Sequence, residues 1–416
     1  MKLKQIVIII LVFLGVSSCL EPFNVTIGDE NTTFLVVDGL ITNENTSHSV
    51  KLTRSLSNIN EDIIPEVGAE LIIEDDFGKE TTLRETKRGV YQTNPDDFIG
   101  IPGRTYRLII KTKKGERYHS SPCLMPPPSD INDVYYIPAN NTIGDSSNKL
   151  NGVGIYVDGQ INTDEIQYLR WAYEEDWKFY IPFGHHEVLL PDNTWEPISP
   201  KKYCWKSSVS NEILLYSFNN QTEQQVIGKE LYFIAANESD RLIDRYSTLI
   251  KQYSITKEEY DFWRKIQQSD PGVSGIFGDQ PFSIKGNITN TNNPEEKALG
   301  YFQVAGVATK RIYIDYGKIQ NLKIAVNNEF SNCNYTPFIL DSLNAGGTTE
   351  NPEYEDIYSI LKKFVLSGDY SYEFAFPIIH PAPLNQTVIG LALSSAKCTD
   401  CTLSGEINPP EFWEEQ

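Results

Sequence analysis

The chain has 416 residues, 40% of them hydrophobic and 12% aromatic, enough apolar side chains for more than one core. Its 56 acidic and 36 basic residues give a formal charge of -20, a field that repels phosphate backbones and excludes nucleic-acid binding. Short runs of Tyr, Phe, Ile, Val and Thr, punctuated by Gly, Asn and Asp, predict a mainly β protein of two or three domains.

Residues 1–18 read as a lipoprotein signal peptide. Lys2 and Lys4 form a positive start, Ile6 to Leu14 is unbroken apolar chain, and Val16-Ser17-Ser18-Cys19 has the small-residue form of a lipobox. The apolar run is about half of what a hydrocarbon core of roughly 30 Å demands, so a spanning helix is not expected. The mature protein is expected to begin at Cys19, carrying a diacylglyceryl thioether and an N-acyl chain such as palmitate, more than the two signals that stable anchoring takes. Residues 19–33 are polar and acidic and read as a tether.

From Phe34 the strand pattern starts, and residues 34–122 predict an N-terminal β-sandwich, Ig-like or transthyretin-like. Asp75-Asp76-Phe77-Gly78 and Lys113-Lys114-Gly115-Glu116 stand where hairpin tips belong. Residues 123–130 contain Pro126-Pro127-Pro128, whose fixed φ and missing N–H groups predict a semi-rigid linker, with the sandwich before it folding separately. Residues 131–416 predict a larger, β-rich α+β domain with a few short helices. One helix opens at Thr256, with Glu259 as its capping-box partner and Tyr260, Trp263 and Ile266 at helical spacing. A second follows Pro352, on the stripe Ile357, Ile360, Leu361 and Phe364.

The motifs that could carry catalysis are weak. Ser254-Ile255-Thr256-Lys257 has the Ser-x-x-Lys form of serine acyltransferases, but its partner motifs are missing and Thr256 is accounted for as a helix cap. His185-His186-Glu187 is ligand-like in composition, yet neighbours on a strand point to opposite faces and no third ligand is identifiable, so no metal site and no cofactor are expected. Paired carboxylates such as Asp75-Asp76 and Glu174-Glu175-Asp176 are ordinary in so acidic a chain. Besides Cys19 there are five cysteines; Cys204, Cys333, Cys398 and Cys401 are expected to form two disulfides, with Cys123 left over beside the linker. The segment YLRWAYEEDWKFYIPF, from Tyr168 to Phe183, offers Trp171, Tyr173, Trp177 and Tyr180 either as core residues of a long strand or as an aromatic contact platform.

Several stretches together resemble one family, the Bacteroidota lipoproteins of domain-of-unknown-function family 4249. The likeness is carried by FLVVDGLIT from Phe34, GAELIIEDDFG from Gly68, IPGRTYRLII from Ile101, YLRWAYEEDWKF from Tyr168, ALGYFQVAGVATKRIYI from Ala298 and, with departures at Thr402 and Glu406-Ile407, the tail from Cys398 to Trp413. The resemblance implies an outer-membrane lipoprotein encoded beside a SusC-type TonB-dependent transporter, and no catalytic residues. It makes an accessory subunit that captures substrate or acts as a lid the leading expectation, and a surface adhesin or scaffold binding a protein or glycan the alternative. Glu21, two residues after the lipidated cysteine, matches a surface-export signal and favours the cell exterior.

Overall fold

The computed structural model describes residues 33–415, apart from 56–62, 143–148, 162–167, 185–186, 190–194, 198, 219–223, 270–283, 323, 325, 327–329, 331, 340–373 and 380–387. The expected leader, Cys19, His185, His186 and the helix expected after Pro352 therefore lie outside the described residues. The fold is mainly β. Its first strands are β1 (Leu35–Thr42), β2 (Ser49–Arg54), β3 (Ile64–Pro65), β4 (Glu70–Asp75), β5 (Glu80–Lys87), β6 (Val90–Gln92), β7 (Thr105–Lys111), β8 (Arg117–Ser120) and β9 (Cys123–Leu124). In β1, Leu35, Val37 and Ile41 share one face and are fully buried, the period-two pattern that makes this stretch a half-buried strand.

Both hairpin tips fall where turn chemistry places them. Asp75 accepts the N–H of Phe77 and Lys79 on its carboxylate at 3.0 and 2.9 Å, and Gly78 supplies the left-handed φ of +79° that closes the turn. At the other tip, Thr112 N–H donates to the Glu116 carbonyl at 2.9 Å, between β7 and β8.

Beyond the prolines come β10 (Asp130–Thr142), β11 (Lys149–Gln160), β12 (Tyr168–Tyr180), β13 (Glu187–Leu189), β14 (Trp195–Pro197), β15 (Tyr203–Val209), β16 (Leu214–Ser217), β17 (Gln225–Ala235) and β18 (Arg245–Ile255). They are followed by helix α1 (Lys257–Ser269), β19 (Ile288–Asn290), β20 (Leu299–Asp315), the short helix α2 (Tyr316–Asn321), β21 (Tyr335–Ile339), β22 (Phe374–Ile379) and β23 (Val388–Ser394). One sheet of 15 strands runs β15-β12-β18-β20-β1-β2-β6-β5-β4-β7-β8-β19 along its main path. The antiparallel sheet β10-β11-β17 packs its Val153, Ile155 and Val157 with Trp171, Phe179, Tyr246 and Ile250 to form a second core. A small sheet β14-β13-β22-β23-β21 completes the chain.

The boundary expected at residue 122 is not where the packing divides. β20 is long enough to serve both sides: Leu299 to Ala305 pair in parallel with β1, and Gly306 to Asp315 pair antiparallel with β18. β19 adds to β8, so the first core takes Ile288, Ala298, Phe302 and Val304 from beyond the prolines. A strand patterned for burial on one face still has to satisfy both backbone edges, and β1 finds its second partner about 260 residues downstream.

The proline segment is likewise packed down instead of standing as a free spacer. Met125 and Ser129 are fully buried, and Gln252 Nε2 and Ser254 Oγ hydrogen-bond Ser129 Oγ at 2.9 and 3.1 Å. Gly306 sits at the hand-over between the two halves of β20, and a Cβ there would lie 2.2 Å from the Pro126 carbonyl oxygen, so only glycine lets the prolines cross so closely.

Candidate functional site

The aromatic platform is mostly core. Along β12 the odd-numbered side chains point inward, which buries Trp171, Tyr173 and Trp177 to 0, 6 and 6% exposure. Trp171 Nε1 donates to Gln252 Oε1 at 2.9 Å and Trp177 Nε1 to Asp240 Oδ1 at 3.1 Å, while Tyr173 stacks on Tyr232 with centroids 3.7 Å apart. Three of the four proposed contact residues are thereby withdrawn from the surface, because β10-β11-β17 covers that face. Tyr180 remains exposed, at 39%, beside the exposed Tyr203 of the edge strand β15.

The candidate site lies on the other face of the same strand. Arg170 extends from β12 across β18 and β20, where its Nη2 donates to Gln303 Oε1 at 3.0 Å. Its guanidinium carbon stands 4.5 Å from the Tyr253 ring centroid and 5.0 Å from that of Trp263 on α1. These groups line a cavity of about 430 Å³ whose far wall is the outer face of β1, β2 and β6, with Asp38, Leu40, Ser49, Lys51 and Val90. The cavity therefore exists only because β20 joins the two halves of the molecule. Its volume lies within the range of small-ligand sites.

Arg170 differs from every other buried or half-buried arginine among the described residues. Arg54 pairs with Glu66 and Glu116, Arg104 with Asp75, Arg241 with Glu175, Arg245 with Asp315, and Arg311 with Asp176. Arg170 has no carboxylate oxygen within 4.0 Å among the described residues, and its Nε is buried without a hydrogen-bond partner.

Glu259, 2% exposed, stands at the first turn of α1 and interacts electrostatically with Arg170. Thr256 caps that turn, accepting the Glu259 N–H on its hydroxyl at 3.4 Å, but the Glu259 carboxyl turns inward and leaves the capping box half made. Glu259 Oε1 and Trp263 Nε1 are both buried and unpartnered, the indole falling short of hydrogen-bond geometry. Burial pushes the carboxyl from 4.5 up to about 7; Arg170, the Trp263 indole and the Val304 N–H pull it only part of the way back.

The folded state thus holds this proton more tightly than the unfolded chain does. Stability is unaffected below the unfolded value of 4.5, falls as pH rises from there to about 7, and then levels off. Glu259→Gln should therefore unfold like the wild type near the low end of that window and be more stable by about 2–3 kcal/mol near pH 8. Urea titrations at the two pH values check this; a variant equally or less stable than wild type at the higher pH would refute it.

A second cavity, of about 480 Å³, lies at the start of α1 between Tyr168, Tyr301 and the proline segment, with Cys123 on its wall. Cys123 is a free thiol that donates to the Ser121 and Phe302 carbonyls at 3.3 and 3.6 Å and accepts from Asn287 Nδ2 at 3.2 Å. Burial pushes it up to about 11, so it stays protonated and a poor nucleophile at neutral pH. The other four cysteines pair as Cys204–Cys401 and Cys333–Cys398, so the Cys-x-x-Cys spacing hosts two long-range links and no dithiol.

The Ser-x-x-Lys residues are not brought together. Ser254 is fully buried against Ser129, and Lys257 pairs with Asp261 on the helix surface. Among the described residues no cluster of three or more His, Cys, Asp or Glu could hold a metal ion, and no helix is long and apolar enough to cross a membrane. The Arg170–Glu259–Gln303 constellation was not singled out from sequence; the only local sign of it was a lone arginine inside the aromatic run of β12. No curated protein matches the chain. The match to the family described as a domain of unknown function, DUF4249, covers residues 20–311, stopping short of the tail from Cys398, and the chain belongs to that family.

Proposed function

We propose that this protein is a lipid-anchored, surface-exposed outer-membrane subunit that works beside a TonB-dependent transporter, capturing solute or covering the barrel mouth, and that it is not an enzyme. The observation that carries this reading is the lipobox ending at Cys19, which ties to a membrane a β body whose sequence holds no complete catalytic motif. The seam cavity supports capture over mere attachment, since it is sized for a small solute and bounded by both halves of the body. Tyr180 and Tyr203 supply the exposed aromatic pair that a docking interface of about 1,000 Å² or more would use as anchors.

Affinity purification of the tagged chain after mild detergent extraction should recover a large barrel protein in near-equal amount, and Tyr180→Ala with Tyr203→Ala should lower that yield. Cys19→Ala should abolish acylation and outer-membrane fractionation. Recovery of the protein alone, with its loss leaving uptake intact and impairing surface attachment, would replace this reading by adhesion.

A further inference from the structure

We propose that the cavity between β1–β2 and α1 is a binding site for a small solute bearing a carboxylate, which seats on the open edge of the Arg170 guanidinium. This deepens the capture reading by naming the chemistry of what is captured, and it rests on that reading for its biological purpose alone.

Three features point to the ligand. A chain with 56 acidic residues against 36 basic ones has carboxylates to spare, and it places one beside each of the other buried or half-buried arginines described. At Arg170 the contact partner is Gln303, a neutral acceptor that fixes the plane of the guanidinium through Nη2, and among the described residues no carboxylate stands at ion-pair distance on the side that lines the cavity. The rings of Tyr253 and Trp263 then hold that plane still, so the fork is oriented before any ligand arrives.

A planar guanidinium edge presents two parallel N–H groups at the spacing of two carboxylate oxygens, a match that a lone sugar hydroxyl cannot make; the carboxylate is preferred to a phosphate because carboxylates are what this chain sets against its other buried or half-buried arginines among the described residues. Lys51 and Asp38 face each other across the β1–β2 ladder on the opposite wall, able to meet the polar remainder of the solute.

The test uses the detergent-solubilised full chain and follows its thermal midpoint. Succinate at millimolar concentration should raise the midpoint, with sodium chloride at equal ionic strength as the blank. Arg170→Gln should abolish the rise. Arg170→Lys, which keeps a cation over the rings and so guards against simple misfolding, should keep the ligand-free midpoint while weakening succinate binding by about tenfold. The proposal is overturned if succinate gives no rise in the wild type, if phosphate or glucose gives an equal one, or if Arg170→Lys binds as tightly as the wild type. Because co-purification with a barrel is read separately, failure here would leave the accessory reading standing, and loss of the barrel would leave this site standing.

Discussion

Phe302→Ala should destabilise the whole body by about 3–5 kcal/mol and do so in a single unfolding transition. Phe302 is fully buried in the first core, yet it belongs to β20, whose second half is the partner of β18 in the other unit. Its backbone is gripped as well: Asn287 accepts its N–H and donates to its carbonyl, each at 2.9 Å. Removing the ring leaves a cavity against Val50 and Gly39, and the loosened strand weakens the parallel ladder to β1. Calorimetry of the wild type should show one transition, displaced downward in the variant. A chain ending before Met125 should not melt cooperatively, because β1 then keeps an open edge along Val36 to Thr42. Two wild-type transitions, with only one displaced by Phe302→Ala, would show that the units are independent after all.

Reduction of the two disulfides should cost a comparable amount. Cys204–Cys401 closes a separation of 197 residues and Cys333–Cys398 one of 65, for which loop-closure entropy gives about 5 and about 4 kcal/mol. The smaller loop is nested in the larger, so the joint effect is expected to be less than the sum. The tail should suffer first. Beyond Cys401 it is held by the bridge between Trp205 and Glu406 and by Trp413, whose ring meets Trp205 and Tyr313 edge-on. Cys401→Ser and Cys204→Ser should therefore lower the denaturation midpoint equally, and non-reducing peptide mapping should join Cys204 to Cys401 and Cys333 to Cys398. A Cys398–Cys401 link, or four free thiols, would refute the pairing.

The helix at Thr256 illustrates what reads directly from residues and what does not. The capping residue and the spacing of Tyr260, Trp263 and Ile266 place α1 at Lys257–Ser269, since both signals act within one or two turns. The same residues misassign Glu259. A capping-box glutamate and a buried glutamate look alike in sequence, and the choice rests on whether Arg170 and β20 stand close enough to turn the carboxyl inward. The aromatic run of β12 is similar: alternation separates its two faces, but only the presence of β10-β11-β17 over the odd face says that Trp171, Tyr173 and Trp177 are core and that Arg170 faces a cavity.

By itself the sequence determined the strands, their hairpin tips, the first helix and the mainly β class, because each follows from side-chain period or turn chemistry within about ten residues. It also carries Val16-Ser17-Ser18-Cys19, the local stretch on which the proposed lipid anchor rests. Tertiary structure alone decided that β20 is shared, that the prolines are pinned under Gly306, which cysteines meet, and that an arginine with no ion-pair partner at contact distance among the described residues opens onto a seam. Those are partnerships between segments far apart along the chain, set by which backbone edges and buried charges remain to be satisfied once the local elements have formed.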